Sequence, residues 1–282
     1  MSAQNITRLP EFSVIKLTGP DAVTFLQGQV SCDVTKLAEQ KVMPGCHCNA
    51  KGKTWSTFIA LQHDADILLV LTKQSAEVSL AELNKYGVFA KVDITDESEN
   101  WFIYGSDENL ALTQSAEISV PLADKHFINL SKQELTETTN SDSWWKTEIL
   151  SGRAHLYSAT SGEYVPQMIN MQALDYISFN KGCYMGQEMV ARMRYLGKNK
   201  RALYIASSDN IESINIGDDV YREVNGNKRS AGKVINVCHA DSKTYLQLVL
   251  PNDTDLADPI FVNQTTSHSI TLMALPYSLE QS

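Results

Sequence analysis

Lys181-Gly182-Cys183-Tyr184-Met185-Gly186-Gln187-Glu188 sets one thiol between two glycines, with a cation two residues before it and a polar pair, Gln187 and Glu188, after it. The residues from Gly186 to Leu196 predict a helix. Met189, Met193 and Leu196 recur at spacings of four and three, and Arg192 and Arg194 fall elsewhere. Cys183 then lies just before a helix start, where unpaired N–H groups and the positive end of the macrodipole favour an anion. Lys181 adds positive charge. This is the setting of an exposed, activated thiolate that can act as nucleophile, metal or cluster ligand, or redox sensor, and the octet alone does not choose among them. Cys183, Lys181 and Glu188 are the candidate catalytic residues; a tight turn holding an inert, buried cysteine is the plainer alternative.

Around this octet the chain is locally basic. Between Lys181 and Arg201 six Lys or Arg accompany one acid, a net +5 within a chain of 282 residues whose total is −9. The overall charge disfavours indiscriminate nucleic-acid binding, whereas the segment 192–201 can attract an anion or an RNA, or simply be a solvated helix face. Five cysteines in this length are too few and odd in number for a disulfide framework, which points to a reducing compartment. No run approaches the roughly 20 apolar residues of a membrane span, and the first residues lack the apolar centre of a signal peptide. A soluble, cytoplasmic protein with no membrane partner is expected.

The first third predicts an α+β arrangement. Strands are expected at Phe12 to Leu17, Val42 to Cys48, Trp55 to Leu61 and Ile67 to Thr72, with a turn at Asn49 to Gly52. Helices are expected around Ala22 to Leu26 and over Ser75 to Tyr86, and the alternation Val88, Ala90, Val92, Ile94 predicts another strand. Short strands follow at Trp101 to Gly105 and His126 to Leu130. Ser141-Asp142-Ser143 supplies capping side chains for a helix over Trp144 to Leu150, ended by Gly152. Beyond Arg201, closely spaced strand candidates and the turn signal Asn225-Gly226 predict a small antiparallel barrel. The expected division is 1–197, two interleaved α+β subdomains, and 198–282, the barrel. Cys46-His47-Cys48 on a strand sends both thiols to one face and the imidazole to the other, so no metal site is expected there. Adjacent Trp144 and Trp145 point about 100° apart on a helix, so one is buried and its neighbour half exposed.

Gln27-Gly28-Gln29 with Asp33-Val34, His47 to Lys53 with Trp55, Pro166-Gln167, the octet, Asn199 to Leu203, and Leu275-Pro276-Tyr277-Ser278 together resemble the YgfZ family of bacterial folate-binding, tRNA-modifying proteins. That family is related to the aminomethyltransferase (T-protein) of the glycine cleavage system and to mitochondrial iron–sulfur assembly factors. The resemblance covers about residues 12 to 278, and it implies a T-protein-like ring of three domains around a central cavity for tetrahydrofolate. Two tryptophans are associated with folate in the family. The later one matches Trp144 and the earlier one Phe12, a departure that keeps a stacking ring but loses the indole donor.

The resemblance further implies support of iron–sulfur cluster assembly or repair, with iron–sulfur enzymes or assembly proteins as partners, and tRNA modification as the consequence with RNA contact indirect. It also implies a link to replication initiation. It assigns no defined reaction. Aminomethyl transfer is disfavoured, because the acidic pair of the T-proteins falls here on Thr54 and Trp55. A one-carbon transferase and a non-catalytic RNA- or protein-binding scaffold remain the alternatives.

Overall fold

The apolar run Ile67 to Leu71 is unbroken because the strand that carries it is covered on both faces. It belongs to β5 (Asp66–Thr72), which with β2 (Phe12–Thr18), β3 (Val42–Cys48), β4 (Thr54–His63) and β6 (Asp93–Asp96) forms an antiparallel sheet ordered β3-β4-β5-β2-β6. Ile67, Leu69 and Leu71 enter a core shared with α1 (Ala22–Gln27), α2 (Leu37–Gln40) and α3 (Lys73–Gly87), through Leu26, Leu37 and Leu83. Leu68 and Val70 point the other way. They meet a second antiparallel sheet, ordered β1 (Ile6–Arg8), β7 (Phe102–Ser106), β9 (His126–Ser131), β8 (Ile118–Ala123), through Ile103, Val120, Ile128 and Leu130. Burying one such side chain contributes about 1.5–3 kcal/mol, so the alternation of β5 holds two layers to one sheet. The computed structural model describes residues 5–113, 115–197, 199–209, 213–224, 226–263 and 270–279.

The third sheet comprises β10 (Arg201–Asp209), β11 (Asp219–Val224), β12 (Asn227–Ala240), β13 (Lys243–Pro251), β14 (Ile260–Val262) and β15 (Thr271–Met273), in the order β14-β11-β12-β13-β10-β15. Its edges meet where Ile270 N–H donates to Ile260 O (2.8 Å), closing the sheet around Val220, Val234, Leu246 and Leu248. The fold is therefore α+β with a C-terminal antiparallel barrel, as the sequence predicts. Asn225 of the expected turn lies outside the described residues; Gly226 has φ 76°, and Val224 pairs with Asn227 across it.

One expected strand is misplaced. Val88 to Ile94 is not continuous strand: α3 runs to Gly87, Val88 and Phe89 are 68% and 99% exposed, and pairing begins only at Asp93. The cause is the Gly19-Pro20-Asp21 turn. Asp21 N–H donates to Lys91 O (3.3 Å) while its carboxylate accepts from Lys91 N–H (2.8 Å), clasping the chain before it reaches the sheet. The helix α4 (Asp142–Leu150) also starts differently from expectation. Ser141 makes no capping bond with its side chain, and Asn140 Oδ1 accepts from Asp142 N–H (3.3 Å).

Glu148, on α4, is wholly buried. An ionised carboxylate can only accept, so His126 Nε2–H donates to Oε1 (2.7 Å), His155 Nε2–H to Oε2 (2.6 Å), and Arg153 Nη1–H to Oε1 as well. The segment after it is then gripped from three sides. Leu122 O on β8 accepts from Arg153 Nη2 (2.8 Å), Thr57 on β4 donates to Ala154 O (2.7 Å), and Thr72 donates to Leu156 O. From the barrel, Asn236 donates to His155 O (3.2 Å) and Gln247 to Ile149 O and Arg153 O (3.1 Å each). Residues 148–156 thus join all three sheets.

Burial alone would raise the Glu148 carboxyl, but the Arg153 guanidinium and the bonds from His126 and His155 outweigh it and hold the group well below the usual carboxylate range. With a depressed folded value, its contribution is complete above its unfolded value of about 4.5 and is lost as the pH falls below that. Glu148→Gln should lower stability by about 3–5 kcal/mol at neutral pH and remove this acid-sensitive component. Urea unfolding followed from neutral pH to about pH 3 measures both, and parallel pH profiles for the two proteins would contradict the assignment.

Candidate functional site

The octet is fixed by contact between two turns. Its helix, α5 (Gln187–Tyr195), starts after Gly186 (φ 80°), where a side-chain Cβ would come within 2.4 Å of Asn49 O and 2.8 Å of Gly52 Cα. Gly52 (φ 71°) is equally confined by Met189. Asn49 holds that turn rigid, accepting from Lys51 and Lys53 N–H (2.9 and 3.0 Å). Two separate stretches that looked distinctive in the sequence therefore dock backbone to backbone, and no residue other than glycine fits the contact. Val190 is the buried residue of α5, with Met189 and Met193 half-buried and Leu196 57% exposed, so the predicted apolar face is rotated.

A third stretch joins them. Lys181 Nζ donates to Gln27 O (2.8 Å), Val30 O (2.7 Å) and Cys32 O (2.6 Å), and Met185 N–H donates to Gly28 O (3.1 Å). All three ammonium protons are spent on loop carbonyls. Lys181 therefore organises residues 27–32 rather than pairing with Cys183. Burial pushes its amine down to about 8, with the fields of Cys32 and Asp33 acting the other way. Within the same loop, Gln27 Oε1 accepts from Val34 N–H (2.8 Å) and its Nε2 donates to Asp33 (2.9 Å).

Cys183 itself is exposed, and a Cβ at the neighbouring Gly182 would meet nothing within 4 Å. Glu188 is also exposed, at 88% of its side chain, and forms a loose pair with Arg192 (3.7 Å) in the first turn of α5. The other four cysteines are buried. Desolvation pushes Cys32, Cys48 and Cys238 up to about 12 and Cys46 well above its usual value, which keeps them as thiols. Cys46 and Cys48 face an apolar core, whereas His47 turns to Trp55 (ring centroids 5.0 Å) and burial lowers it to about 3. Among the described residues no cluster of three His, Cys, Asp or Glu converges on a metal position.

The aromatic pair lies elsewhere. Phe12 and Trp144 are brought together edge to face (5.8 Å, 89°), both buried, with Trp144 Nε1–H donating to Phe127 O (2.9 Å). The face of Phe12 is covered by half-buried Trp145 (5.6 Å, 11°), and His155 closes one edge (5.2 Å). These rings form a back wall rather than an open clamp. In front of it a void of about 10 Å³ touches Phe12, Trp144, Ile59, Leu122 and Tyr176, and the last three also line a cavity of about 200 Å³ with Pro44 and Arg153. No carboxylate is among the lining residues described, and Cys183 lines neither space. At the T-protein acidic positions Thr54 is buried beside Cys48 and Trp55 packs on His47.

The thiol segment and the cavity are nonetheless connected. Ser31, in the loop held by Lys181, donates to Tyr176 O (2.5 Å) and accepts from Cys46 N–H (2.8 Å), and its own carbonyl accepts from Ser178 N–H (2.9 Å). The sequence does not mark Glu148, His126, Arg153 or His155. Its one available signal is that Glu148 follows Trp144 by four residues and so shares its buried helix face.

Comparison with known proteins agrees with this architecture. A sequence model for the YgfZ β-barrel domain matches residues 199–263. The chain is 37% identical to the tRNA-modifying protein YgfZ of Colwellia psychrerythraea, over 97% of its own length and 93% of that protein. It is 35% identical to the one from Vibrio atlanticus (98% and 93%) and 32% to that of Shigella sonnei (97% and 93%). A crystal structure of the glycine cleavage system aminomethyltransferase T from Bartonella henselae superposes with a TM-score of 0.69 at 11% identity, covering 97% of this chain and 86% of that one, so the two share a fold.

With one accessible thiol among five, a chromogenic disulfide should titrate a single cysteine in the native protein and five after unfolding; Cys183→Ala should reduce the native count to zero. Lys181→Met should cost about 2–3 kcal/mol by leaving loop carbonyls unpaired, read as a lower urea midpoint, and should leave Cys183 as accessible as before.

Proposed function

The chain belongs to the YgfZ family, and we propose that it supports tRNA modification by binding tetrahydrofolate in the cavity between its two α+β sheets and presenting Cys183 to iron–sulfur proteins as partners. The observation that carries this reading is the apolar cavity of about 200 Å³ bounded by Ile59, Leu122 and Tyr176, with Arg153 as its one formal charge among the lining residues described. That volume is below the roughly 300–1,000 Å³ of a site enclosing a whole drug-sized ligand. It fits a single flat ring system with the remainder of the molecule outside. Ile59, Leu122 and Tyr176 would hold the ring, Phe12 and Trp144 would stiffen the wall behind it, and Arg153 supplies the positive edge. Tetrahydrofolate, when bound, supplies one-carbon chemistry at its N5 and N10 atoms.

Cys183 acts as the working thiol. Its exposure and the rigid glycine contact beneath it suit transient ligation of a cluster held by a partner, and Lys181 serves as its positioning residue through loop 27–32. Glu188, at the open start of α5, is placed to meet the same partner. Assembly or repair of iron–sulfur clusters in the enzymes that modify tRNA is the activity proposed, and the link to replication initiation rests on family resemblance alone. A T-protein type of aminomethyl transfer is not favoured, because the lining residues described include no carboxylate to take up the amine's charge.

Tetrahydrofolate should quench the tryptophan fluorescence of Trp144 and Trp145, and Leu122→Phe, which fills the cavity, should abolish the quenching. Cys183→Ala should keep wild-type folding and quenching yet fail to restore tRNA modification in a cell lacking the gene. Quenching that survives Leu122→Phe, or full restoration by Cys183→Ala, would remove the corresponding half of the reading.

A further inference from the structure

Beside the second half of α5, where Met193 and Arg194 are on its wall, lies a cavity of about 370 Å³ that the folate reading does not use. Gln167, Gln172, Asp175, Phe179, Arg194 and Tyr277 are on its wall. Gln167 is buried, and its amide is oriented by donation to Val190 O (2.7 Å), which leaves Oε1 without a hydrogen-bond partner; Gln172 Oε1 is likewise buried and unpaired. Buried acceptors are costly to leave unmade. Both glutamines and the exposed carboxylate of Asp175 belong to this wall, so the side-chain groups it can turn toward a ligand are acceptors for N–H donors.

Other residues of the wall are suited to stacking. The Arg194 guanidinium lies 4.0 Å from the ring centre of Phe179 and 5.7 Å from that of Tyr195, whose ring is 68% exposed. Phe179, Arg194 and Tyr195 therefore run as a ladder of flat groups from the cavity to the surface. Arg192 and Lys200, neighbours in sequence of the wall residues Arg194 and Asn199, are exposed in the most basic stretch of the chain; Lys198 of the same stretch lies outside the described residues.

A flat ligand with a donor-rich edge, carried on an anionic backbone, satisfies all of these features at once. Nucleobases unstacked from single-stranded RNA have this character, and they bind on aromatic rings and Arg planes while side chains read their edges. We propose that this cavity is a nucleobase pocket for single-stranded RNA, with preference for guanine, whose N1–H and exocyclic amine present adjacent donors where uracil presents one. The choice of RNA rests on the proposed role in tRNA modification, but the pocket is separate from the folate cavity and is tested separately.

The test uses the full-length protein and two fluorescein-labelled RNA hexamers, one all uridine and one with a single guanosine, read by anisotropy at fixed salt. The guanosine hexamer should bind on the order of tenfold more tightly. Gln172→Met, which keeps the shape but removes the acceptor, should erase that preference, and Arg194→Ala should weaken both hexamers by about tenfold or more. Both variants should retain native unfolding midpoints and tetrahydrofolate quenching. Equal binding of the two hexamers, or an unchanged preference in Gln172→Met, overturns the proposal. So does displacement of the hexamer by tetrahydrofolate, which would give the cavity to a pterin, or guanosine monophosphate binding as tightly as the hexamer, which would make it a free-nucleotide site.

Discussion

One buried carboxylate sets the positions of everything else. Removing Glu148 from water costs several kcal/mol, and that cost is met only when His126, Arg153 and His155 all reach it. His126 belongs to one sheet, Ala154 between Arg153 and His155 is held by the other, and the carbonyls of Arg153 and His155 themselves are held by the barrel. The cluster is satisfied only in the assembled protein. It acts as a register pin, in which a sheet displaced by an ångström would leave a charge unpaired. Tyr277 completes the arrangement from the far end of the chain, donating to Gly152 O (3.0 Å) where only a glycine leaves room.

The cavity is a consequence of that pinning. Sheets covered with large side chains would collapse on each other if free to do so, but the segment 148–156 fixes their separation while Pro44, Ile59, Leu122 and Tyr176 leave a gap unfilled. Arg153 belongs to both structures, bonded to Glu148 on one side and lining the gap on the other. The octet is organised by the same economy of charge. Lys181 is engaged in holding loop 27–32, so the exposed surface around Cys183 is left to the thiol, and four buried thiols with raised pKa values leave it as the accessible one.

Much of this was legible in the residues. Strand β5 announced itself by an apolar run, the β3–β4 hairpin by its turn residues, and the barrel by short strands and tight turns after Arg201. Local patterns succeed where the cause is local. The stretch Val88 to Ile94 defeated the period-two reading because a turn seventy residues earlier captures Lys91, and Phe12 and Trp144 could not be known to cover one another, because Trp145 takes the face of Phe12 only in the packed state. Lys181 looked like a partner for the thiol two residues away, yet carbonyls roughly 150 positions distant in sequence compete better for its protons.

By itself the sequence determined the α+β character, the barrel, the glycine-bounded turn before α5 and the identity of the one distinctive thiol, since each follows from residue types within a few positions of one another. Tertiary structure alone decided which charges meet. The Glu148 cluster, the carbonyl cage around Lys181 and both cavities arise from groups remote in the chain, and nothing in local spacing specifies the partner of a buried ion. Only folding, by stripping water from those groups, makes their pairing obligatory.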